Sequence, residues 1–121
     1  MPPLADLNLV LAAIKDEDAL KARAERYVAS HNATMTMATG IELLLWCRKH
    51  RLHFVDFLDR AAERFEMEGI GVLRTAAQAL QDGVVTSPFD AIHLSEALHR
   101  GTVLATADEV LWKTRFPTEK F

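Results

Sequence analysis

Residues 87–112, SPFDAIHLSEALHRGTVLATADEVLW, decide how the rest of the chain is arranged. Ser87 can cap the free amides of a helix, Pro88 suits the first helical position, and Asp90 puts a negative charge near the positive end of the helix dipole. Gly101 marks the stop. Between them Ala91, Leu94, Ala97 and Leu98 recur at helical spacing as an apolar stripe, with His93, Ser95 and Glu96 supplying most of the polar side. A helix of about eleven residues is roughly 16 Å long. Thr102 to Thr106 predict a strand of similar reach, about 16 Å at roughly 3.3 Å per residue. A helix out and an equal strand back return the chain to its starting end, so Asp108 is expected near Asp90.

Towards the N-terminus the same alternation continues. Leu4 and Ala5 end a short strand limited by Pro2 and Pro3, and Asp6 to Asn8 lead from it into the helix LVLAAI. Lys15 to Asp18 form a charged, solvated loop, and Ala19, Leu20, Ala22, Tyr27 and Val28 place a second helix running to about His31. Ala33 to Met37, ATMTM, suits a brief strand, after which Thr39 opens the helix GIELLLWCRKH. Phe54, Phe57, Leu58, Ala61 and Phe65 give one face to a helix between His53 and about Phe65. Gly69 and Gly71 then interrupt the pattern before a helix from Val72 to Gln81, which Asp82-Gly83 ends.

Short strands separated by helices imply a single α/β domain over residues 1–121, a three-layer α/β/α sandwich around a short, mainly parallel central sheet. The chain has 121 residues and is 50% apolar, enough to bury a sizeable core, and it shows no repeat or linker. Its apolar runs fall short of a membrane span, and MPPLADLNLV has no basic region ahead of a long apolar stretch, so a cytoplasmic protein without a membrane partner is expected. The single cysteine, Cys47, excludes an internal disulfide and a paired-thiol metal site. A net charge of -3 gives no global attraction for nucleic acid, so any such contact requires a local basic patch.

Asp6, Asp90 and Asp108 all fall at strand or helix junctions along one edge of that sheet, where open α/β sheets bind ligands. Glu42 joins them from a helix that is apolar nearly all round and is therefore expected to be buried, a costly place for an unpartnered carboxylate. Each acid has an ordinary explanation. Thr39 and Glu42 have capping-box spacing, Asp90 lies in a first turn, and Asp6 and Asp108 can cap the helices after them. Capping does not account for four acids converging, where like charges repel unless a cation is present, and oxygen ligands alone suit Mg²⁺ or Mn²⁺.

In these motifs the sequence resembles the PIN-domain ribonucleases, including the VapC-type toxins of toxin-antitoxin pairs. The family's opening acid motif matches Asp6-Leu7-Asn8, its middle acid Glu42 after a Thr-containing strand, its third Asp90 in FDAIHLSEAL, and its last Thr106-Ala107-Asp108. The final stretch is the most specific. Leu7 stands where the family commonly has Ser or Thr, and Glu109 is an additional acid. The resemblance implies a metal-dependent endoribonuclease in which Asp6, Glu42, Asp90 and Asp108 hold one or two Mg²⁺ or Mn²⁺ ions, supported by Asn8 and Thr106. The ions would activate water and screen the phosphate for in-line attack, leaving a 5′-phosphate and a 3′-hydroxyl. It further implies RNA as substrate, a small antitoxin as partner, and a homodimer.

Arg48, Lys49, His50 and Arg51 form the one dense basic cluster. They suit the negative end of their own helix, and Arg48, Lys49 and Arg51 can also meet RNA phosphates, which position a substrate without reading its sequence. Cys47, His50 and His53 have a spacing that invites zinc, but a fourth ligand is not evident. His93 and His99 read as surface or satisfied residues, and Trp46 and the Phe stripe as core. Two other classes stand beside the nuclease. A receiver-like signalling domain also gathers acids at a sheet edge, yet should close a late strand with Lys, and no candidate strand here does. A PIN-like scaffold that binds partners without cleaving is the other.

Overall fold

Residues Met1–Phe121 are described by a computed structural model of the chain. In chain order it contains α1 (Leu7–Ile14), α2 (Lys21–His31), β1 (Thr34–Met35), α3 (Met37–His50), α4 (Phe54–Arg64), β2 (Glu66–Met67), α5 (Ile70–Gln81), α6 (Pro88–His99), β3 (Leu104–Thr106), α7 (Glu109–Trp112) and β4 (Thr118–Lys120). Helices dominate, and both strand pairings are parallel, so the chain is mixed α/β. No helix is long and apolar enough to cross a membrane.

Local chemistry sets the helix ends. Ser87 Oγ accepts from the Asp90 amide at 3.4 Å, with Pro88 at the first position of α6. At its far end the Gly101 amide donates to Leu98 and the Thr102 amide to Ala97, with Gly101 at φ +68°, where a side chain would be strained. That double closure takes Thr102 out of the expected strand. β3 is therefore three residues, about 10 Å, against about 18 Å for the twelve residues of α6, so helix and strand are not equal in length.

The single central sheet expected between two helix layers is not shown. Two ladders form instead: β1 with β2, extended by a bridge from Leu4 to Thr34, and β3 with β4. Proline limits the first of these. Pro2 and Pro3 have no amide hydrogen, so the N-terminal segment contributes only Ala5 N–H to Thr34 O at 2.8 Å and Pro3 O accepting from Thr34 N–H at 2.9 Å. The N–H and C=O of Leu4 have no backbone partner, and its side chain is 68% exposed. Ala105 in β3 is exposed as well.

The core joins the helices rather than covering a sheet. Met35, Leu43, Leu44, Leu58, Leu73 and Leu94 are fully enclosed in one apolar cluster. α5 packs along α6 and α4, and α3 runs against α4, α5 and α6. Where α3 meets α5, Gly40 allows close packing: a β-carbon there would lie 2.5 Å from Leu73 Cδ1, so the leucine would have to shift. On the outer side Arg60 of α4 reaches Asp16 and Asp56, each at 3.2 Å, and so ties the 15–18 loop to the bundle.

Several expected faces shift. In α6 Ile92 and Ser95 are buried while Leu98 is exposed, and Ser95 satisfies its hydroxyl by donating to Ala91 O at 2.7 Å. In α2 only Ala24 and Val28 are buried, and Leu20 and Tyr27 remain exposed.

Candidate functional site

Asp6 follows the bridged Leu4-Ala5 segment and caps α1, one carboxylate oxygen accepting from Leu9 N–H at 2.9 Å. Asp108 repeats this at the second ladder. It follows β3, caps α7 through Val110 N–H at 2.9 Å, and its own amide donates to Thr106 Oγ1 at 3.1 Å. Thr106 thus shapes the turn that presents Asp108. Both acids are exposed, and each stands past the carboxyl end of a parallel-paired segment with its second oxygen unengaged.

Asp90 lies in the first turn of α6, half-buried. Its amide is used by Ser87, while its carboxylate takes part in no hydrogen bond or ion pair within the protein. Three of the four acids are therefore at helix N-termini, the helix end that suits negative charge.

Glu42 departs from expectation. It is exposed, not buried, because α3 lies at the border of the core: Leu43, Leu44 and Cys47 face inward, and Ile41, Leu45 and Trp46 are only partly covered. The expected Thr39–Glu42 capping box is also absent. Thr36 caps α3 by accepting from Thr39 N–H at 3.4 Å, and buried Thr39 donates its hydroxyl to Ala5 O at 3.0 Å. That last bond, which sequence reasoning missed, pins α3 to the segment before Asp6. As a result Glu42 shares a surface depression with Leu7.

The expected meeting of all four acids at one edge is not observed. Asp6 and Glu42 belong to the first ladder's side, Asp108 to the second ladder, and no set of three or more His, Cys, Asp or Glu side chains is close enough to hold an ion. The oxygen-only donor set matches a hard divalent ion in type. Asn8 is exposed and lines a cavity of about 370 Å³ between α1 and α2, with Leu9, Ala12, Leu20, Arg23, Ala24 and Tyr27. Glu109 is exposed on the first turn of α7.

Arg48, Lys49 and His50 form the last turn of α3, and Arg51 follows it in the left-handed region at φ 54°. This is the favourable end of the helix for positive charge. Arg48, Lys49 and Arg51 are exposed with no carboxylate within 4.0 Å. The zinc spacing has a structural explanation instead. Cys47 is buried, and desolvation pushes its thiol up to about 12, while His53 Nδ1 accepts from Asp56 N–H at 3.1 Å as the cap of α4. His99 is bonded to Thr75 Oγ1 at 2.9 Å, linking α5 to α6, and His93 is exposed.

Comparison of the chain with family models, curated proteins and solved structures returned no match.

Proposed function

We propose that the chain is a metal-dependent endoribonuclease of the PIN-like type, cleaving RNA phosphodiester bonds with Mg²⁺ or Mn²⁺. The observation that carries this is the repeated placement of Asp6 and Asp108, each beyond a parallel-paired segment and at the start of a helix, with a third carboxylate, Asp90, left unpartnered in another first helical turn. Carboxyl ends of parallel strands are where such folds do chemistry.

Asp6, Glu42, Asp90 and Asp108 would hold the ion, with Asn8 and Thr106 in support. When bound, a divalent ion supplies an activated water and screens the scissile phosphate. The protein's own part is positional: the Thr39–Ala5 bond fixes α3 beside the Asp6 segment, and Thr106 fixes the turn before Asp108.

The same proposal includes the three-layer arrangement around one sheet. Leu4 and β3 both offer open edges beside parallel partners, and joining them would set Asp6 and Asp108 at neighbouring strand ends, about 4.8 Å apart in the pairing direction.

Purified protein is expected to cleave RNA with Mg²⁺ or Mn²⁺ and to stop when EDTA is added. Cleavage undiminished by EDTA overturns the metal requirement. A non-catalytic PIN-like scaffold is favoured by the separation of the acids, and absence of cleavage with either ion would select it. As to role, we propose a cytoplasmic toxin, acting as a homodimer and held in check by a small antitoxin. Expression alone should slow growth, and harmless overexpression of an RNA-cleaving protein would assign RNA processing instead.

A further inference from the structure

Trp46, whose spacing suits the core, is only half-buried and forms a wall shared by two surface depressions. On one side lies a depression of about 240 Å³ bounded by Leu7, Glu42, Leu45 and Lys49. On the other, about 430 Å³, are His50, Leu52, Phe57, Lys15 and Arg60, together with Asp16 and Glu17. The indole is held in place without being covered: Phe57 meets it edge-on at 5.5 Å, and His50 tilts against it at 5.0 Å. Helical spacing explains the grouping, since Glu42, Lys49 and His50 stand four before, three after and four after Trp46 and so share its face.

The charges around this shelf are unequal in their engagement. Arg60 and Lys15 are already paired with carboxylates, and Arg60 also lies 4.8 Å over the Phe57 ring. Lys49, Arg48 and Arg51 have no such partner. An indole fixed by its neighbours, with unpaired Lys49 on its own face and unpaired Arg48 and Arg51 at the same helix end, is a combination that binds single-stranded nucleic acid: the ring stacks a base whatever its identity, Lys49 takes the adjacent phosphate, and the two arginines take phosphates further along. Glu42 on the shelf's inner side disfavours phosphate there, which directs the backbone towards the Lys49, Arg48 and Arg51 end.

We propose that the Trp46–Lys49 shelf on α3 is a binding site for single-stranded RNA, with a base stacked on Trp46 and the flanking phosphates at Lys49, Arg48 and Arg51. It rests on RNA being the substrate in the function proposed above.

The test uses the full-length protein in EDTA, with a fluorescein-labelled uridine decamer followed by anisotropy, so that binding is read without cleavage. Wild type is expected to bind, with affinity falling as salt rises. Arg48→Gln combined with Lys49→Gln should flatten the dependence of log affinity on log salt by about 0.7 for each phosphate that is no longer neutralised. Trp46→Leu, which keeps apolar bulk against Phe57, should weaken binding about tenfold or more. The Gln pair alters only exposed, unpaired side chains and carries the test if Trp46→Leu does not fold.

Absence of decamer binding at low salt, or an unchanged salt slope in the Gln pair, overturns the shelf. Equal competition by decaglutamate also overturns the RNA assignment, since it would mark a docking surface for an acidic protein. Cleavage with Mg²⁺ that is indifferent to the shelf variants sinks the shelf and leaves the nuclease standing. Shelf-dependent binding without cleavage under either ion does the reverse.

Discussion

Asp90→Asn is expected to lower RNA cleavage on the order of 10²–10³-fold, the scale of removing one charge-stabilising group from a reaction centre, while leaving the fold intact. The structure separates these two effects. The cap of α6 is made by the Ser87 hydroxyl and the Asp90 backbone amide, so the carboxylate can lose its charge without opening the helix end. Asn keeps the size and one oxygen of the side chain. Without added metal the variant should stay within about 1 kcal/mol of wild type, because the carboxylate caps nothing and loses only its attraction to the α6 dipole. With Mg²⁺ at about 100 times its dissociation constant, wild type should gain roughly 2.7 kcal/mol, and the variant should lose most of that gain. Thermal melts with and without Mg²⁺ measure both quantities. Equal Mg²⁺ shifts in the two proteins would show that Asp90 holds no ion.

Leu73→Ala should destabilise the chain by about 2–5 kcal/mol, because the side chain is fully enclosed and its removal leaves a cavity between α3 and α5. Gly40 turns this into a sharper experiment. Alone, Gly40→Ala sets a methyl against Leu73 Cδ1, and overpacking of this kind costs about 1–3 kcal/mol. Better helix propensity offsets about 0.8–1.0 kcal/mol of that. When Leu73 is already Ala, the same methyl enters vacated space, and only the favourable part remains. Gly40→Ala should then stabilise by about 1 kcal/mol, a change of sign. Urea unfolding of the four proteins measures the cycle; the same effect of Gly40→Ala in both backgrounds would mean that the two residues do not share the space.

What could be read from the sequence is what neighbours in sequence decide. Ser87, Pro88 and Gly101 delimit α6 because capping and chain reversal are settled within a few residues, and Asp82-Gly83 ends α5 for the same reason. The acids at Asp6 and Asp108 were legible as caps, and both make the expected bond. The strands were harder. Glu66–Met67 has two residues and no alternation, and Thr118–Lys120 has no apolar side chain, so neither carries a periodic signal. Their pairing is set by partners far away in sequence. Glu42 was misjudged for a related reason: a nearly continuous apolar run fixes a helix against a core, but which narrow stripe meets water depends on the elements packed beside it. The expected nearness of Asp108 to Asp90 rested on a strand as long as its helix, and the Thr102 turn shortened that strand.

The buried thiol of Cys47 gives the chain a built-in clock. It is the one cysteine, it is enclosed on the inner face of α3, and its burial holds the proton on up to about 12. Alkylating reagents attack thiolates, so near neutral pH each labelling event records a molecule in which α3 has come away from the core. The rate of single-label mass gain thus counts openings of the chain, in a crude mixture or with RNA present. The same proton sets an alkaline limit. Unfolded chains release it near 9.0 and folded ones near about 12, so this thiol's contribution to stability is intact below 9.0 and is lost as pH climbs through that window. Labelling should accelerate across it, first because openings become more frequent and then because the thiolate forms in place.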